Sequence, residues 1–165
     1  MRKGIYMRSN ENTKEKKEEM YKKSKEIIKL MLAGENDELV KMTTISAVLK
    51  QNIPYFLWVG FYRLQGDQLL VGPYQGNPAC LRIPMNKGVC GKSAAEKKTI
   101  IVDEVEKFPG YITCDGGAKS EIVVPVLNCH DKLIGVLDGD SQYIKAFDQT
   151  DQIHLEELMS DMFSF

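Results

Sequence analysis

Thiols and carboxylates stand in this sequence at positions where they could react together. The stretch YITCDGGAKSEIVVPV puts Cys114 on a glycine-rich segment, and Glu121 opens the β-branched run that follows. Cys80 comes shortly after a glycine and a proline, also outside any predicted helix or strand. A cysteine that only packs belongs inside an element among apolar neighbours, so a loop thiol is a candidate for chemistry. An inert loop cysteine is the alternative interpretation.

A third thiol and two further acids extend this pattern. Cys90 lies near the start of a predicted short helix, where aligned peptide dipoles favour a thiolate. Asp138 and Asp140 are two residues apart on a predicted strand, so their side chains share one face and could point into one pocket. Crowded carboxylates disfavour joint ionisation, which raises the pKa of one and makes it a proton donor. A polar strand end is the alternative for these two aspartates.

Thiols beside acids favour a redox reaction that consumes a proton, and reduction of a sulfoxide fits. A thiolate attacks the sulfur while an acid protonates the oxygen. The resulting sulfenic acid condenses with a second cysteine to a disulfide. An external dithiol must then reduce that disulfide by exchange.

Several other classes of protein are disfavoured. The string GVCGKS matches only the end of a phosphate-binding loop, because Asn86 stands where the first glycine is needed. A net charge of −1 argues against a general nucleic-acid binder. No apolar run reaches the roughly 18 residues that span a membrane. The basic start lacks the apolar stretch of a secretory signal, so we expect a cytoplasmic protein.

Resident metals and cofactors are also not expected. The four cysteines contain no Cys-x-x-Cys pair, and only His130 and His154 could assist them, so a zinc site is not predicted. In a reducing compartment we expect reduced or transiently oxidised thiols. Cys129, beside His130, has no acidic neighbourhood except Asp131 and is interpreted as incidental.

The elements that must position these residues follow the order α-α-β-β-β-α-β-loop-β-β-α. Periodicity and caps predict helices at 13–33, 37–51 and 88–98 and a closing helix after Phe147. Strands follow one another without regular helix alternation, which predicts an α+β fold with a largely antiparallel sheet and helices packed against it. Residues 1–12 are predicted to be a flexible N-terminus and 13–165 a single domain.

Two stretches have a structural interpretation from the residues alone. The first helix is expected to bury Met20, Ile27, Leu30 and Met31 and otherwise to be a solvated basic helix, with a weak interaction arm as the alternative interpretation of its basic residues. Trp58 and Tyr62, in the string WVGFY, are more readily interpreted as core residues, although a tryptophan could also form a pocket wall for an S-methyl group.

Taken together, five strings in one order resemble the free methionine-R-sulfoxide reductases, a family built on a single GAF domain. They run from Trp58 to Asp151 and read WVGFY, GPYQGNPACLRIP, GVCGKSAAEKKTIIVDEV, FPGYITCDGGAKSEIVVPV and GVLDGDS…FDQTD. The resemblance implies a six-stranded antiparallel sheet flanked by helices, often in a homodimer. It also implies reduction of free methionine-R-sulfoxide with thioredoxin as the reductant and no cofactor.

The resemblance further implies roles for individual residues. Cys114 corresponds to the nucleophile and Cys80 to its resolving partner, with Cys90 as an alternative or relay thiol. Glu121, Asp138 and Asp140 correspond to the acids of the family's substrate pocket. Trp58 and Tyr62 correspond to its aromatic wall.

Two positions depart from the family pattern, and two other functions remain open. Leu57 stands where the family has asparagine, and Gly139 replaces a β-branched residue between the two aspartates, which could loosen that strand. A GAF-type module that senses a small ligand without catalysis is the main alternative. A thiol peroxidase that uses the same cysteines is the third interpretation.

Overall fold

The computed structural model of this chain describes residues 13–114 and 116–164. The predicted flexible segment 1–12 lies outside the described residues. All four predicted helices are present, and Thr13, Asp37 and Asp148 cap the first, second and last of them by accepting backbone N–H hydrogen bonds. The helices are α1 (Lys14–Met31), α2 (Glu38–Asn52), α3 (Gly88–Glu96) and α4 (Gln149–Phe163).

Six strands form one antiparallel sheet, as the resemblance implied. They are β1 (Trp58–Gln65), β2 (Gln68–Gln75), β3 (Arg82–Pro84), β4 (Ile100–Val102), β5 (Ser120–Leu127) and β6 (Leu133–Ser141). Their order across the sheet is β3-β2-β1-β6-β5-β4, and every neighbouring pair is antiparallel. The long segment between β4 and β5 contains one short 3-10 turn, Val105–Lys107. No helix in the described part of the chain is long and apolar enough to cross a membrane.

The two faces of the sheet carry different cores because side chains alternate along each strand. Ile122, Val124 and Leu137 face the main core, which packs against α1, α2 and α4. Val123 and Val136 face a second cluster that also contains Cys90 of α3. Because side chains alternate between the two faces along β5 and β6, Glu121, Asp138 and Asp140 lie on the α3 side of the sheet.

The buried face of α1 agrees with the predicted one only in part, since Met20 and Ile27 pack against the main core. Leu30 and Met31 are 80% and 63% exposed, whereas Lys17, Tyr21, Ser24 and Ile28 are buried. The side chain of Lys17 is enclosed because its ammonium group has fixed partners, Asp151, Asp148 and the carbonyl oxygen of Ala146. The assumption that lysine faces solvent therefore misplaced the buried stripe of this helix.

Gly139 is fitted to its surroundings and does not loosen the strand. A Cβ atom at this position would stand 2.4 Å from Cε1 of Phe56 and 3.1 Å from its Cδ1. The Phe56 ring is buried and packs against the rings of Tyr55 and Phe147, so moving it aside would disturb these contacts. The aromatic ring thus occupies the space that a β-branched residue would need.

We therefore expect Gly139→Val, which introduces a β-branched residue at this position, to destabilise the protein. Overpacking of a well-filled core costs about 1–3 kcal/mol of unfolding free energy. Chemical denaturation of the variant measures this loss. Gly116→Val is the matched control, since no atom lies within 4 Å of a Cβ built there. Equal stability of the two variants would contradict the packing explanation.

Candidate active site

Cys80 and Cys114 are joined by a disulfide that connects two segments 34 residues apart in sequence. Cys80 lies on the segment between β2 and β3, and Cys114 on the long segment between β4 and β5. Both are half-buried. The pair is the one that the resemblance implies, and it binds the glycine-rich segment to the opposite end of the sheet.

Cys90 is a free, buried thiol in the first turn of α3. Its Sγ donates a hydrogen bond to Oε1 of Glu121 at 3.8 Å. Burial, followed by the nearby Asp138 carboxyl group, raises the pKa of Cys90 well above its usual value. The sequence predicted a thiolate here from the helix dipole, but desolvation and acidic neighbours reverse that expectation, so Cys90 is a protonated thiol at neutral pH.

Glu121, Asp138 and Asp140 form a buried acid cluster on β5 and β6. Glu121 lies directly opposite Asp140 in the strand ladder, and Asp138 lies opposite Val123, so the three side chains adjoin on one face. Burial raises the pKa of Asp138, and burial together with the Asp138 carboxyl group raises the pKa of Glu121. The cluster thus holds a proton at neutral pH, and the first cause for Asp138 is burial, where the sequence had predicted crowding between the two aspartates.

One oxygen of this cluster lacks a partner. Asp138 is only 6% exposed, and its Oδ1 has no hydrogen-bond donor among the described residues. A buried polar atom in this state costs free energy unless a ligand or water completes it.

A cavity of about 20 Å³ joins the acids to the disulfide, with room for about one water molecule. Cys114 lines this cavity, whereas Cys80 is not among its lining residues. Gly88 and Val89 also line it, and the N-cap residue of their helix, Lys87, makes no side-chain capping bond. Backbone N–H groups at the start of α3 are therefore not capped by that side chain and adjoin the cavity.

Comparison with known proteins identifies the family to which this chain belongs. The model of the GAF domain family matches residues 42–163. GAF domain-containing protein A of Dictyostelium discoideum is 41% identical over 150 residues, which are 90% of this chain and 94% of that protein. The free methionine-R-sulfoxide reductase of Escherichia coli (strain K12) is 38% identical over 132 residues, or 80% of this chain and 79% of that protein. The chain belongs to the GAF-domain family of free methionine-R-sulfoxide reductases.

A solved member of the family shows the same fold around a bound substrate. It is the X-ray structure of the free methionine-R-sulfoxide reductase from Neisseria meningitidis in complex with its substrate. The two chains are 34% identical, superpose with a TM-score of 0.81, and the match covers 98% of this chain and 93% of that one.

The two aromatic residues assigned to the pocket wall by resemblance to the free methionine-R-sulfoxide reductases lie beside the cavity but do not line it. Trp58 is stacked on Tyr62 and on Tyr74, and its indole N–H donates to the carbonyl oxygen of Asn77 at 3.1 Å. Both Trp58 and Tyr62 are 1% exposed. In the disulfide-bonded state they are core residues of the α3 side, as the residues alone suggested.

Tyr111 and Ile112 line the cavity and were not among the predicted site residues of this reductase. Both precede Cys114 on the same segment, so the disulfide that holds Cys114 also places them over the acids. Burial, followed by Asp140, raises the pKa of Tyr111, whose hydroxyl group therefore stays protonated. Their position directly upstream of a candidate nucleophile was the available sequence signal.

Proposed function

We propose that this protein reduces free methionine-R-sulfoxide to methionine through Cys114, with Cys80 as the resolving cysteine. The observation that carries the proposal is the placement of Cys114, which is disulfide-linked to Cys80 and also lines the cavity of protonated acids. Relatives with 34% and 38% identity are named for the same reaction. Cys90 is disfavoured as the nucleophile because its pKa is raised.

The reaction proceeds in four steps. The Cys114 sulfur bonds to the substrate sulfur while a protonated carboxyl group of the cluster donates its proton to the sulfoxide oxygen. The oxygen then transfers to Cys114, which becomes a sulfenic acid as methionine leaves. Cys80 displaces that oxygen as water and forms the disulfide. An external dithiol reduces the disulfide and is itself oxidised.

The charged ends of a free amino acid match the two sides of the cavity. The unpartnered Oδ1 of Asp138 suits the substrate ammonium group, with Glu121 and Asp140 beside it. The uncapped backbone N–H groups at the start of α3 suit the substrate carboxylate, because the positive end of the helix dipole favours an anion. Gly116 lines a separate groove and is not among the residues that line this cavity.

We further propose a thioredoxin-like reductant, a cytoplasmic location and a homodimeric assembly. Each cycle consumes one dithiol, which a reducing compartment supplies, and removal of oxidised methionine would serve the response to oxidative stress. Leu30 and Met31 at the end of α1, and Leu39 and Val40 at the start of α2, are exposed apolar side chains that a second copy of the chain could cover. Analytical ultracentrifugation tests the dimer.

The reductase function is tested by giving reduced protein the R and S epimers of free methionine sulfoxide separately, with dithiothreitol, and measuring the methionine formed. We expect turnover of the R epimer only. Saturable ligand binding without turnover would indicate the sensor instead. Turnover of hydrogen peroxide, with none of the sulfoxide, would indicate the thiol peroxidase.

Ligand binding should depend on the oxidation state of the protein. Because the oxidised cavity of about 20 Å³ holds only about one water molecule, we expect oxidised protein to bind no free methionine. Protein reduced and then freed of reductant should bind it saturably. Isothermal titration calorimetry of both states measures the difference, and the Cys80→Ser variant, which cannot form the disulfide, should bind without prior reduction. Equal affinity in the two states would overturn this prediction.

A further inference from the structure

Three buried side chains converge on the cavity from three different elements. Cys90 comes from α3, Glu121 from β5 and Asp138 from β6. One sulfur and two carboxylate oxygens of these residues all lie within 4.8 Å of one another. These ligand types reach the same point only through the tertiary fold, since the residues are far apart in sequence.

The unpartnered oxygen of Asp138 indicates that this point faces a ligand with positive charge or a donor group. The residue is more than nine-tenths buried, and its Oδ1 has no hydrogen-bond partner in the described part of the chain. Asp140 lines the same cavity, and none of the described lining residues is lysine, arginine or histidine. A carboxyl group buried in this setting can lose its proton and remain ionised only when a cation compensates its charge.

We propose that Cys90, Glu121 and Asp138 form a binding site for a thiophilic divalent cation of the zinc type. Zinc accepts one thiolate and carboxylate oxygens as tetrahedral ligands, with bonds of about 2.3 Å to sulfur and about 2.0–2.2 Å to oxygen. These lengths set a sulfur and an oxygen ligand about 3.5–3.7 Å apart, so the observed separation of 3.8 Å between Cys90 Sγ and Glu121 Oε1 needs little adjustment. Asp140 or a water molecule completes the fourth position, and the protons of the ligands pass to solvent.

The chemistry of the three ligands selects against the common hard cations. Magnesium and calcium take oxygen ligands, six or more in number, and magnesium keeps several waters. A thiolate ligand and room for about one water molecule do not meet these requirements. We therefore expect zinc and cobalt to bind and magnesium not to bind.

The bound ion is an inhibitor and not a cofactor, an inference that rests on the proposed function. Asp138 and Glu121 cannot hold both the ion and the substrate ammonium group. Zinc and methionine sulfoxide should therefore exclude one another. Zinc binding itself does not depend on the reductase activity.

Binding is tested with Co²⁺ alone as a spectroscopic probe, on a Cys129→Ser background. With the Cys80–Cys114 disulfide intact, Cys90 is then the only free thiol. We expect one equivalent of cobalt, a thiolate-to-cobalt charge-transfer band, and loss of that band on adding Zn²⁺ but not Mg²⁺. The Cys80→Ser/Cys114→Ser/Cys129→Ser variant repeats the titration without the disulfide, so that slow entry into a closed cavity is not mistaken for absence of a site.

Ligand variants decide whether the band comes from this site. Adding Cys90→Ala should abolish it, and Asp138→Asn should weaken cobalt affinity by at least the roughly 10–100-fold that loss of an outer-shell partner costs. Asp103→Asn is the matched control, because Asp103 is an exposed carboxylate that is not among the cavity-lining residues. Absence of the band in both backgrounds, or a band that survives Cys90→Ala, overturns the proposal. Failure of the reductase assay alone leaves the cobalt result intact, so the two hypotheses fail separately.

Discussion

Replacement of Cys114 by serine should lower the rate of methionine-R-sulfoxide reduction by at least about 10³-fold, the size of loss typical for removal of a catalytic nucleophile. The serine hydroxyl group cannot attack sulfur as a thiolate does, and no other thiol lines the cavity except Cys90. Cys90 is held protonated by burial and by its acidic neighbours, which raise its pKa. The measurement is methionine formed per protein in a single turnover of reduced protein, without added dithiol.

Two further cysteine variants distinguish the attacking cysteine from the resolving cysteine and from a cysteine with no role, which a loss of activity in one variant does not do. Cys80→Ser should still form about one methionine per protein in a single turnover, because attack precedes resolution, but its steady-state rate with a protein dithiol should fall. Cys129→Ser should behave as the unmodified protein, since Cys129 is exposed and outside the cavity. Full single-turnover activity in Cys114→Ser would move the nucleophile to Cys90 or Cys80.

Asp151→Ala should destabilise the protein by roughly 3–5 kcal/mol, the usual loss when one partner of a buried ion pair is removed. Asp151 is fully buried and accepts hydrogen bonds from the ammonium group of Lys17 and from the hydroxyl groups of Tyr21 and Tyr55. It also accepts the backbone N–H of Asp148 at 2.8 Å, so one carboxylate links α1, the segment between α2 and β1, and the N-terminus of α4. Its loss leaves the two tyrosine hydroxyl groups without this acceptor and the lysine ammonium group without its buried partner.

Thermal unfolding measures this loss, and for a chain of this length the melting temperature should fall by on the order of 10 °C. Asp151→Asn keeps an oxygen acceptor and should lose less, which keeps the test informative if the alanine variant does not fold. The matched control is Asp161→Ala on the same helix, where the carboxylate is 42% exposed and pairs with Lys29 at 2.8 Å. That change should stay within about 0.5 kcal/mol. Similar losses of stability in the two alanine variants would show that the buried hydrogen bonds of Asp151 stabilise the protein no more than an exposed ion pair does.

Alternation and spacing along the chain were sufficient to predict much of the site. The two-residue separation of Asp138 and Asp140 fixes them to one face of a strand whatever the strand packs against. Glu121 was grouped with them by the resemblance, and the observed register of β5 against β6, with Glu121 opposite Asp140, brings it to the same face. Spacing alone therefore predicted the aspartate pair, and the register of the strands completed the acid cluster.

Predictions made from neighbours along the chain were wrong where contacts in space determine the pKa, the burial or the packing of a residue. The position of Cys90 in the first turn of α3 predicts a lowered pKa for its thiol, yet burial beside Asp138 and Glu121 raises that pKa instead. Lys17 was assigned to a solvated face, and it is buried because three acceptors from the end of the chain surround its ammonium group. Gly139 was expected to loosen β6, and the Phe56 ring fills the space beside it.

The sequence by itself determined the order of elements, the antiparallel sheet and the residue types that a sulfoxide reductase needs, because these depend on periodicity and on neighbours along the chain. Only the tertiary structure decided which thiols line the cavity and which of them stays protonated. It also decided that Cys90, Glu121 and Asp138 meet at one point. The physical reason is that desolvation and electrostatic interactions act over a few ångströms in space, between residues that are dozens of positions apart in sequence.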